Sequence, residues 1–134
     1  MLWACFHIKE LRVGTSFVEF VIDSGSNSSF FAFGDSIKFA IPKRGKRDSL
    51  MPIGGTSLDL HKLPEFDLVL EDAAGDALRL KVEGFCAAFG NKKSQSAINQ
   101  AKAIPSILGL DFLRKHKLRL FVDAYKKEAY LEKD

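Results

Sequence analysis

Residues 23–25 read Asp-Ser-Gly, and the six residues before them, Phe17-Val18-Glu19-Phe20-Val21-Ile22, are nearly all apolar. An apolar strand that ends in a carboxylate, followed by a glycine that permits a sharp turn, is a rigid and partly desolvated seat for an acid. Such groups can hydrolyse a peptide bond without a metal or a covalent intermediate. One carboxylate takes a proton from water while a second, protonated carboxyl polarises the carbonyl. Two carboxyls held close together cannot both ionise, so one keeps its proton and the pair supplies base and acid together. The tripeptide occurs once in the chain. The chemistry therefore requires two identical chains, each contributing its Asp23. Asp35, Asp111 and Asp123 are the alternative second carboxylates within one chain, but none lies in another Asp-Ser/Thr-Gly, and Asp35 and Asp111 read as helix caps or turn residues.

Asp, Ser and Gly are all turn formers, and average composition would produce Asp-Ser/Thr-Gly by chance in roughly one chain in twenty of this length. Context gives the tripeptide its weight. An apolar segment around Gly54-Gly55 follows it, and Ile107-Leu108-Gly109-Leu110 comes later, apolar and closed by glycine.

The elements that must hold these residues are mostly strands. Residues 3–9 and 17–22 are rich in aromatic and β-branched side chains, and Val13-Gly14-Thr15 between them is a turn signal, which predicts a hairpin leading into Asp23. Residues 30–33 read as a short buried strand, and Gly34-Asp35-Ser36 as the start of a short helix that Pro42 ends. Residues 49–60 predict a hairpin with Gly54-Gly55 at its tip. Residues 66–71 and 78–85 flank a turn at residues 72–76, and Leu78, Leu80 and Val82 alternate with Arg79, Lys81 and Glu83, the pattern of a half-exposed hairpin. Residues 91–102 are the most polar stretch and predict a surface loop or short helix. An apolar strand through Leu110, a helix capped by Asp111 and running to about His116, and a last hairpin of residues 118–122 and 128–131 complete the chain.

With 134 residues, 46% hydrophobic and 28% charged, the chain predicts a single domain spanning residues 1–134, too small for two complete lobes. The net charge of +3 favours no particular partner. Two basic runs, Lys43-Arg44 with Lys46-Arg47 and Arg114-Lys115 with Lys117 and Arg119, read as solvated faces, and nucleic acid is not expected as a partner. Cys5 and Cys86 are the only cysteines, and the three histidines are scattered, so the expectation is two thiols in a reducing compartment with no metal and no cofactor. The apolar residues 1–8 lack a basic region and a cleavage site, and no run approaches a membrane span, which predicts a soluble, cytoplasmic protein with no membrane partner. Gly54-Gly55-Thr56-Ser57 is not a phosphate loop, because no lysine follows at the required offset. Phe30, Phe31 and Phe33 are read as core rather than as a substrate pocket.

Val21-Ile22-Asp23-Ser24-Gly25-Ser26 resembles the catalytic loop of the retropepsin-like aspartic proteases, the homodimeric relatives of pepsin that include retroviral proteases. Ile53-Gly54-Gly55 is similar to the tip of their flap, and Ser106-Ile107-Leu108-Gly109-Leu110-Asp111-Phe112-Leu113 to their second signature strand and the helix after it. The resemblance spans nearly the whole chain. It implies a closed retropepsin-like acid-protease β-barrel with one or two short helices and one lobe per chain, active as a homodimer on a peptide or protein substrate. By the same resemblance Asp23 is the catalytic residue, Ser24 carries the hydroxyl that locks the loop, Gly25 faces substrate, and Ile53, Gly54 and Gly55 are flap residues that bind it. The alternative is a catalytically silent domain of the same fold that binds a peptide or dimerises. The chain departs from the family in having serine rather than the commoner threonine after the aspartate, a longer stretch at residues 91–102, and Pro52 beside the flap tip.

Overall fold

The computed structural model describes residues 2–53, 56–71, 74–90, 95–126 and 128–133. They form eleven strands, three short α-helices and one 3-10 turn. In chain order these are β1 (Leu2–Ile8), β2 (Val13–Ile22), β3 (Phe30–Phe31), α1 (Phe33–Lys38), β4 (Ser49–Ile53), β5 (Thr56–Lys62), β6 (Phe66–Glu71), β7 (Ala77–Val82), β8 (Cys86–Gly90), α2 (Gln95–Lys102), β9 (Ser106–Leu108), α3 (Leu110–Lys115), β10 (Leu118–Asp123) and β11 (Glu128–Lys133). The fold is mostly β, as the alternating apolar segments require. Nine strands form one sheet in the order β4-β5-β8-β3-β9-β2-β1-β6-β7, and β10 pairs with β11 separately. Among the described residues β4 and β7 stay at opposite ends of this order. The ladder is therefore open, and the closed barrel implied by the resemblance is not seen.

Strands β1 and β2 pair antiparallel, with Ala4 opposite Val18 and Cys5 opposite Phe17. Their connection is not at Val13-Gly14-Thr15. A 3-10 turn at Lys9–Leu11 and a left-handed Arg12 (φ 57°) reverse the chain earlier, and Gly14 lies inside β2. Burial explains the shift: Leu11 and Val13 both enter the core, and removing two aliphatic side chains from water outweighs the turn preference of one glycine.

Helix α1 begins at Phe33, so the predicted strand over residues 30–33 is only two residues long. It stops at a left-handed Ala40 before Pro42. Strand β8 has no counterpart in the sequence reading. Cys86, Ala87 and Ala88 are all buried, so neither face alternates, as expected of a central strand covered on both sides.

The phenylalanines make the core. Phe31 is fully buried, with the rings of Phe6, Phe20, Phe66 and Phe85 centred 4.7–5.7 Å from it. Phe30 belongs to a second apolar cluster, with Leu58, Leu60, Ala88 and Ala101. Two adjacent side chains of β3 thus anchor it on both faces of the sheet, at about 1.5–3 kcal/mol for each fully buried ring. The terminal hairpin β10–β11 is tied to the main core through Leu118 and Leu131. None of the described helices is long and apolar enough to cross a membrane.

Candidate active site

Asp23 is the first residue beyond β2. Its backbone N–H donates to Leu108 O at 3.0 Å, continuing the parallel pairing in which Ile22 lies beside Leu108. The loop it opens closes quickly: Ser26 N donates to Asp23 O at 3.1 Å, and Gly25 N donates to Asp23 Oδ1 at 2.8 Å. One carboxylate oxygen is therefore oriented by its own turn. Asp23, Ser24 and Gly25 are all exposed, so within one chain the apolar strand gives Asp23 a fixed position but not the partly desolvated seat expected, because the side chain lies beyond the end of the strand.

The two legs of this loop, β2 and β3, are not paired with each other. Strand β9 lies between them, parallel to β2 and antiparallel to β3 through Phe30 and Ile107. At its end Gly109 passes so close to the loop that a Cβ there would lie 2.5 Å from Ser26 O and 2.7 Å from Ser28 O. Leu110 N donates to Ser26 O at 2.8 Å. The glycine that closes the downstream apolar run is thus the residue that lets it cross behind Asp23.

Within one chain the loop is not locked by Ser24, whose hydroxyl has no hydrogen-bond partner among the described residues. Ser26 and Ser29 hold it. Ser26 Oγ donates to Ser28 O at 2.8 Å, and Ser29 Oγ, buried, accepts from Gly109 N at 2.7 Å and donates to Asp111 Oδ1 at 2.6 Å. Asp111 is not the N-cap of α3, which is Gly109 with no side-chain cap bond; it lies inside the first turn, where its Oδ1 also accepts from Phe112 N at 2.8 Å. Asp35 likewise leaves α1 uncapped and accepts from the fully buried Ser106 Oγ at 2.5 Å, while that hydroxyl accepts from Ala32 N at 2.8 Å. Asp123 accepts from Lys126 N in the last turn. Ser29 and Ser106 were missed by sequence reasoning. Their signal was a serine immediately before an apolar run, Ser29 before Phe30-Phe31 and Ser106 before Ile107-Leu108.

Ile53 pairs with Thr56 across the β4–β5 hairpin, with Pro52 opposite Ser57. Because β4 is the edge of the sheet, the missing N–H of Pro52 can face outward without cost to the ladder. Gly54 and Gly55, expected at the tip, lie outside the described residues.

Between the Asp23 loop and the terminal hairpin is a cavity of about 450 Å³, which Ser24 borders. Its floor comes from Leu110 and Leu113 of α3 and Leu118 and Leu120 of β10. Arg114, Lys117 and Arg119 of the second basic run border it too. In the first run Lys43 and Arg47 flank Asp59 at 3.8 and 3.6 Å. Cys5 and Cys86 are unpaired, and burial pushes the Cys86 thiol up to about 11, with the Asp48 carboxylate adding to the effect. Among the described residues no three His, Cys, Asp or Glu side chains converge to hold a metal ion. Neither a family model nor a curated protein matches this chain.

Proposed function

We propose that this protein is a retropepsin-like aspartic endopeptidase, in which two copies bring their Asp23 carboxyls together to activate water against a peptide bond. The observation that carries this reading is the seat of Asp23. It is an exposed carboxylate at the end of a core strand, oriented by Gly25 N–H and backed by a strand threaded between the legs of its own loop. The bond from Gly25 N–H is the Asx-turn usual for a turn aspartate, so the weight of the reading falls on the strand threaded behind the loop. Paired across a two-fold, the two carboxyls share one proton, so the ionised one accepts a proton from water while the other donates to the substrate carbonyl.

The surface for pairing is suggested by which strands are free. Strand β1 is enclosed between β2 and β6, whereas among the described residues β10–β11 pairs with no other strand and exposes Val122 together with the stacked rings of Phe121 and Tyr130. The leucines of β10 also line the cavity bordered by Ser24. A two-fold that joins two Asp23 loops therefore brings two such hairpins close, and the unpartnered Ser24 hydroxyl becomes available to the other copy. Two free cysteines favour a reducing, cytoplasmic setting.

The test is cleavage of a mixed peptide library by wild type and Asp23→Asn across a pH series, with solution mass measured on the same samples. We expect a dimeric wild type that cuts, with a bell-shaped pH dependence belonging to the pair. The variant should be an equally dimeric protein that does not cut. A folded dimer inert at every pH would replace this reading with a silent peptide-binding domain.

A further inference from the structure

We propose that Ser29 and Asp111 are positioning residues for Asp23, a role that rests on Asp23 being the catalytic group. Strands β3 and β9 share one register pair, Phe30 with Ile107, so backbone hydrogen bonding alone holds them weakly. Two buried serines extend that contact in opposite directions. On one side the Ser106 hydroxyl accepts from Ala32 N and donates to Asp35. On the other the Ser29 hydroxyl accepts from Gly109 N and donates to Asp111 Oδ1, which also accepts from Phe112 N at 2.8 Å. The two braces share their chemistry and their burial and differ in what they adjoin.

The Ser29 brace belongs to a closed circuit of hydrogen bonds around the Asp23 loop. Gly109 is fixed by Ser29, the next residue holds Ser26 O, Ser26 N holds Asp23 O, and Asp23 N returns to Leu108 O beside Gly109. A shift at Ser29 therefore moves both backbone anchors of Asp23. The Ser106 brace ends on Ala32 and α1 and forms no part of this circuit. Two carboxyls that must share a proton tolerate little displacement, and an error of about 1 Å can lower a rate by about 100-fold.

The experiment compares Ser29→Ala, Ser106→Ala, Ser29→Thr and Asp111→Asn for thermal stability, kcat, KM and amide hydrogen exchange at Asp23 and Ser26. Both alanine variants should lose stability to a similar degree. Only Ser29→Ala should lose about 10- to 100-fold in kcat with KM changed less than about two-fold, and only it should speed exchange at Asp23 and Ser26. Ser29→Thr and Asp111→Asn, which keep the hydroxyl and an acceptor oxygen, should restore most of the rate. Equal effects of the two alanine variants on kcat and on exchange would overturn the proposal. If wild type cuts nothing, the protease reading fails by itself, and exchange still decides whether Ser29 fixes the Asp23 backbone.

Discussion

His116, just beyond the last turn of α3, shows how one side chain couples the fold to pH. Its ring packs on Phe112 with centroids 4.6 Å apart, and its Nε2 is buried with no hydrogen-bond partner among the described residues. Burial, with Lys115 and then Lys133 nearby, holds its pKa below the usual 6.5. The folded protein therefore resists a proton that the unfolded chain accepts. Above 6.5 the group contributes no pH dependence. As pH falls below 6.5 the unfolded chain binds more protons and stability drops, until the folded ring also titrates at its lowered value. We expect an imidazole titration midpoint below 6.5 by NMR, and a shallower acid loss of stability in His116→Asn. A midpoint at or above 6.5 would contradict the placement of this ring. Of the site residues, Asp23 was legible because the carboxylate, the glycine and the preceding apolar run are adjacent in sequence. Ser29 and Asp111 were not, because their bond joins residues 82 positions apart.

The threading of β9 between β2 and β3 is the element-scale feature on which the site depends, and Gly109 is its tightest point. An alanine there meets backbone oxygens, which cannot rotate away as a flexible side chain can. We expect Gly109→Ala to cost about 1–3 kcal/mol in denaturant unfolding and to abolish cleavage. Gly14→Ala, in open space within β2, should stay within about 0.5 kcal/mol of wild type. Equal losses at both positions would mean that the close passage is not what constrains Gly109. Strand patterns were readable where one face meets water, as in β6 and β7, because alternation survives there. They failed for β8, buried on both faces and built of small residues, and for the β1–β2 turn, which the core burial of Leu11 and Val13 moved away from its glycine.

At the scale of the molecule, the proposed dyad takes one catalytic carboxylate from each chain, which would make activity a property of association. Specific activity should fall on dilution through the concentration at which mass measurements show the dimer dissociating. A rate per chain that stays constant in the monomer would exclude a site shared between two Asp23 residues. The open sheet order leaves β4 and β7 as edges and sets β10–β11 apart from the main ladder. A two-stranded ribbon with exposed aromatic side chains is marginal alone and gains most from a neighbour. Sequence patterns cannot specify such an arrangement, since strand order comes from which apolar faces bury one another and not from local periodicity.

What the residues determined by themselves was local: the mostly β character, the seat of Asp23 and the glycine after it, the hairpins flanking Gly54-Gly55 and residues 72–76, and the downstream apolar run ending in Gly109. These follow from backbone sterics and alternation over a few neighbouring residues. Only the tertiary structure decided that β9 enters between β2 and β3, that Asp111 and Asp35 each accept from a buried serine of a distant segment, and that Ser29 rather than Ser24 holds the loop within one chain. Each of those contacts joins segments more than seventy residues apart, and a buried hydroxyl takes whichever partner the packed core leaves within reach.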